Sequence, residues 1–185
     1  GTGPTGLRGV VELLGEMGAD VRTGGRVQDR DEVVLQVRDT FGEEGNAALE
    51  DWVRAGGTLV VADPYSAFAP AWDGFGDGWA TRRSVCTIDA LTGVESASCF
   101  GDGVRAGIQS RPLGDGLVVA ISTDEMFLNA GLGRADAAVL VVALLAPYEG
   151  ARTRVLDPRS YATGDDVGDG TVLGGGDPDC DTRPE

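Results

Sequence analysis

The chain has 185 residues with 30 acidic side chains against 15 basic ones, a formal charge of −15. That suits one soluble domain and excludes nucleic acid and anionic membrane surfaces as favoured partners, because the surface repels phosphate. Histidine is absent and every basic residue is arginine, so Ser-His-Asp and Cys-His catalysis, His-ligated zinc, imidazole pH switching and lysine Schiff-base chemistry are excluded. Hydrophobic residues make up 42%, enough to build a core.

The opening Gly1-Thr2-Gly3-Pro4 lacks an initiator methionine and reads as a processed piece of a longer chain. GTGPTG has neither a preceding strand nor a Gly-Lys-Ser/Thr ending, so it is expected to start a helix rather than cradle a phosphate. Leu7, Val10, Val11, Leu13, Leu14 and Met17 then recur at helical spacing, with Gly18 where a left-handed cap belongs. Residues 19–22 are short and extended. The β-branched run Glu32 to Val37 predicts a buried strand. Glu43 to Arg54 predicts a helix whose first-turn glutamates and last-turn arginine match the helix dipole, ended by Gly56-Gly57.

Thr58 to Asp63 (TLVVAD) and Leu117 to Ser122 (LVVAIS) are apolar almost without alternation, as central strands of a parallel sheet are. Ala135 to Leu145 is apolar nearly all round and predicts a buried helix. Repeated strand-then-helix order makes a doubly wound, mostly parallel α/β sheet the expected architecture. Residues 72–112 break the pattern and are expected to form an insertion, or a small β-rich excursion between core strands, within a domain spanning 1–162. Residues 163–185, rich in Gly and Asp, are expected to be a linker or loose tail. The longest apolar run, Ala137 to Pro147, is about half the ~20 residues a membrane span needs.

Cys86 and Cys99 bracket fourteen residues counted inclusively. A disulfide there would contribute about 3 kcal/mol and imply an oxidising compartment; two unrelated buried thiols are the alternative. Cys180 has no evident mate. The tail piece Asp165 to Gly170 lacks the ligands of a calcium loop, having Val167 at a ligand position and Gly176 where the bidentate Glu belongs. No metal site and no cofactor are expected. The aromatic group Tyr65, Phe68, Trp72, Phe75 and Trp79 is expected either to pack as core or lid, or to present a patch to a partner protein.

Three blocks carry a resemblance: DWVRAGGTLVVADP (Asp51 to Pro64), the opening GTGPTGLRGVVELLGEMGADVR, and GLVVAISTDEMFLNAGLGRADAAVLVVALLAP. The first is similar to the helix, double glycine and strand of the glutamine-amidotransferase-like superfamily of flavodoxin-type sheets. Together they resemble its branch known as the domain of unknown function 4350 family. The resemblance implies a membrane-anchored protein with this domain on the extracytoplasmic side of the cell membrane, no established activity, and a protein partner at the membrane linked to a MoxR-type ATPase system. Active amidotransferases carry a nucleophilic Cys on the turn after a core strand, activated by a His. After TLVVA this chain has Asp63-Pro64-Tyr65-Ser66, so no catalytic residue is assigned.

Ligands of such sheets bind at the carboxyl ends of the strands. Asp63, Ser66, Thr123, Asp124 and Asn129 are therefore the candidate ligand-binding residues. Two functions are expected from them. Under the first, the chain is a non-catalytic binding or scaffold domain, with Asp63 and Thr123-Asp124-Glu125 serving as turn and cap residues. Under the second, it is a hydrolase or ligand-processing enzyme in which at least two of Asp63, Asp124 and Glu125 meet in a concave pocket.

Overall fold

The computed structural model describes Gly3 and residues 5–69, 107–134 and 137–156. Cys86, Cys99, Cys180, Trp72, Phe75, Trp79 and the acidic tail lie outside the described residues.

Helix α1, Arg8–Glu16, buries Val10 and Leu14 one turn apart and ends at Gly18, whose φ of +84° provides the expected left-handed stop. Strand β1, Asp20–Gly24, and strand β2, Val33–Gln36, follow. Helix α2, Gly42–Arg54, carries Glu43 and Glu44 in its first turn and Arg54 in its last, and buries Leu49 and Val53. Strand β3 is Thr58–Val61. Strands β4, Ile108–Leu113, and β5, Gly116–Ile121, form a hairpin closed by Gly114-Asp115. A single 3-10 turn at Glu125–Phe127 leads to helix α3, Ala137–Leu145. Strand β6, Arg152–Leu156, closes the described chain.

The six strands form one sheet in the order β1-β6-β2-β3-β5-β4. All neighbours are parallel except the β4–β5 hairpin. The fold is α/β with a mostly parallel sheet, compatible with a flavodoxin-like arrangement. Side chains alternate across the strands and sort the core into two layers. Val33, Leu35, Val60, Val119, Ile121 and Val155 face α1 and α3. Val34, Leu59, Val61, Val118, Ala120 and Leu156 face Leu49 and Val53 of α2.

Two strands join the sheet from stretches not read as core strands. Ile108–Leu113 starts within residues 72–112, the stretch read as an insertion or a small β-rich excursion, and forms an edge strand. β6 lies between β1 and β2 although RTRVL reads as polar. Its polar residues are satisfied internally. Thr153 gives its hydroxyl proton to the Leu145 carbonyl. Arg154 and Asp31, each 5% exposed, form a buried ion pair through Nε and Oδ2 at 2.5 Å, with a second contact at 3.4 Å. A buried charge without that partner would be costly, so the pair fixes where β6 inserts. Among the described residues no helix is long and apolar enough to cross a membrane.

Candidate functional site at the carboxyl ends of the strands

The chain leaves β3 and β5 toward opposite faces. Phe68 and Ala69, after β3, pack into the layer beneath α2. Met126 and Phe127, after β5, pack beneath α1 and α3. Such divergence opens the crevice in which parallel sheets hold ligands.

Asp39 is the centre of the polar groups gathered there. Its Oδ2 accepts the Ser66 hydroxyl at 2.9 Å and the Ala67 N–H at 3.0 Å. Asn46, in the first half of α2, donates Nδ2 to Oδ1 at 2.9 Å and to Oδ2 at 3.1 Å. Asp63 supports Asp39 in turn, accepting the Asp39 N–H on Oδ2 at 2.9 Å and the Tyr65 N–H on Oδ1 at 3.0 Å. The second of these closes the turn before Pro64 that an Asp favours. Two loops, one after β2 and one after β3, are thereby tied together by carboxylates.

Ser66 faces inward. It is 6% exposed, accepts the Phe68 N–H at 3.2 Å, and lies 3.3 Å from Gln36 Oε1. A hydroxyl has one proton, and the shorter contact to a charged acceptor, Asp39, takes it. Gln36 Nε2 and Asn46 Oδ1 are buried and have no hydrogen-bond partner among the described residues. Turning the Gln36 amide over places Nε2 against Ser66 Oγ, where it can donate.

Asp124 stands at the far side of the crevice. Arg38, following β2, reaches past the end of β3 to place Nη2 3.6 Å from Asp124 Oδ2, with the arginine 70% and the aspartate 26% exposed. Thr123 Oγ1 accepts the Glu125 N–H at 3.2 Å and starts the 3-10 turn, as its residue type favours. Glu125 is exposed. Among the described residues no hydrogen bond joins the Asp63 network to Thr123, Asp124 or Glu125, and no group of three acidic or Cys side chains is placed to hold a metal.

Asn129 holds the start of α1. Its Oδ1 accepts the Gly9 N–H at 2.7 Å, its Nδ2 donates to the Gly3 carbonyl at 2.7 Å, and its own N–H donates to Gly6 O at 2.9 Å. Leu7, at the N-cap position of α1, supplies no side-chain cap, so Asn129 satisfies a first-turn N–H in its place. The shallow cleft beside it is lined by Arg8, Gly9, Glu12 and Asn129, and Arg8 and Glu12 pair across it at 2.6 Å.

The structure therefore gathers Asp63 and Ser66, leaves Thr123 and Asp124 across the crevice, and puts Asn129 at the start of α1. Sequence reasoning missed Asp39, Arg38, Gln36 and Asn46. The criterion that selected Asp63 and Asp124, an acid just past a strand, also selects Asp39 after EVVLQV. No curated protein and no solved structure matches the chain. The family model described as Domain of unknown function (DUF4350) matches residues 2–98, just over half of the chain, and the chain belongs to that family.

Proposed function

We propose that this is a non-catalytic binding or scaffold module, carried on the extracytoplasmic side of a membrane-anchored protein and built on a degenerate glutamine-amidotransferase-like sheet. One observation carries the non-catalytic part. Two of the acids at the carboxyl ends spend their hydrogen bonds on loop backbone and on neighbouring side chains, Asp39 on Ser66, Ala67 and Asn46, and Asp63 on Asp39 and Tyr65, and among the described residues neither is joined by a hydrogen bond to Asp124 or Glu125. A general base needs a free lone pair aimed at a substrate proton, and a nucleophile needs access. Ser66 is buried and no histidine exists to activate it. The extracytoplasmic, membrane-anchored setting and the link to a MoxR-type ATPase rest on the family resemblance.

The test pairs two experiments. The full-length protein, extracted from its membrane, is used to capture partners, and the purified domain is assayed against small esters and amides. A MoxR-type ATPase or another membrane protein retained by the full-length chain, with no turnover by the domain, is the expected result. Turnover that disappears in Asp63→Asn or Asp124→Asn, while the variant stays folded, would replace this function with the carboxylate hydrolase.

A further inference from the structure

The two edges of the sheet differ. The β4 edge carries Pro112, which has no N–H, and Arg111 beside it, features that discourage further pairing. The β1 edge, DVRTG, carries charged residues of its own, Asp20 and Arg22, but no proline, and among the described residues no strand pairs with its outer side. Asp20 N–H donates inward to Ala151 O at 2.9 Å. A parallel ladder uses alternate residues, so the backbone groups of Val21 and Thr23 point outward.

We infer that β1 pairs antiparallel with β1 of a second copy, about a two-fold axis through Val21, to continue the sheet across both molecules. Charge selects the partner and the register. With Val21 opposite its own counterpart, Asp20 of each copy faces Arg22 of the other in the close, non-hydrogen-bonded position, where Cα atoms sit about 4.5 Å apart. Shifting the centre to Arg22 would instead set two guanidinium groups face to face. Among the described residues Arg22 is also short of a good acceptor. Its contacts to Asp20 are both 3.4 Å, and its Nε is buried without a hydrogen-bond partner. In the same register Val21 exchanges both backbone hydrogen bonds with its counterpart. The Thr23 N–H reaches the Ala19 carbonyl of the other copy, while the Ala19 N–H stays bonded to Leu14 O at 3.0 Å. Closed two-fold pairing of this kind uses one patch twice and leaves no β1 edge open.

Sedimentation equilibrium from about 1 μM to about 1 mM protein, the range in which small interfaces associate, tests the pairing. The wild type should show a reversible monomer–dimer equilibrium. Asp20→Arg and Arg22→Asp should each weaken it about tenfold, because two like-charged pairs then face each other. The double variant Asp20→Arg/Arg22→Asp should return to within about threefold of wild type, a recovery that general damage to the fold cannot produce. Amide exchange at Val21 and Thr23 of the wild type, which needs no variant, should slow as concentration rises. A wild type monomeric throughout, a dimer indifferent to the single swaps, a double variant that does not recover, or amide exchange independent of concentration would overturn the pairing.

Discussion

Asn129 caps a helix from 120 positions away: its Oδ1 accepts the Gly9 N–H at 2.7 Å, and its Nδ2 ties down Gly3 O at 2.7 Å. Asn129→Ala should lower unfolding stability by about 1–2 kcal/mol, the usual worth of a lost N-cap. Asn129→Asp keeps the acceptor and loses the donor, so it should fall between the two in urea denaturation. A Cβ at Gly9 would come within 2.8 Å of Leu132 Cδ1 and 3.1 Å of Asn129 Oδ1. Gly9→Ala should therefore destabilise despite the better helix propensity of alanine.

Glu32 predicts the acid limb of stability. Its carboxyl is held at about 2, below the ordinary 4.5, first by the Tyr148 hydroxyl and then by the N–H and guanidinium of Arg152, against a smaller opposing effect of burial. A carboxyl whose folded pKa is depressed contributes stability fully above its unfolded pKa, and that contribution is lost as pH falls through the folded value. Between about pH 4.5 and about pH 2, wild-type stability should drop more steeply than that of Glu32→Gln. The same contact raises the Tyr148 hydroxyl above its ordinary 10.0. Its contribution is therefore complete below pH 10.0 and is lost as pH rises through the higher folded value, a second limb that Tyr148→Phe should remove. Thermal melts across the pH range check both.

Arg154→Ala or Asp31→Ala should each cost about 3–5 kcal/mol, because either leaves a buried charge alone. The double variant should cost clearly less than the sum, since the two changes remove one interaction. Gln28 N–H, which donates to Asp31 Oδ2 at 2.8 Å, keeps the Asp31 change from becoming neutral even then. A double-mutant cycle by chemical denaturation measures the coupling.

The central strands were legible because TLVVAD, LVVAIS and EVVLQV are continuous apolar runs, the pattern that burial on both faces imposes. β6 was not legible, since its first three residues, Arg152, Thr153 and Arg154, read as surface. Only a carboxylate more than a hundred positions away makes Arg154 a core residue. β4 was hidden for the opposite reason: an edge strand with Pro112 and Arg111 shows no apolar pattern. At the carboxyl ends, Asp63 was readable as a turn residue because its partner Tyr65 is local. Asp39 depends on Ser66 and Ala67, 27 and 28 positions on, and Asn129 on Gly9 and Gly3 at still greater separation. Residue type shows that a group will bond; it does not show to what.

The sign of a stability change at Asp39 separates a structural hub from a working site most directly. Replacing a residue held in place for catalysis commonly leaves a protein equally or more stable, because functional sites store strain. In urea denaturation, Asp39→Asn should instead lose about 2 kcal/mol, because the amide cannot accept from Ser66, Ala67 and Asn46 together. An Asp39→Asn protein as stable as the wild type, or more stable, would contradict it.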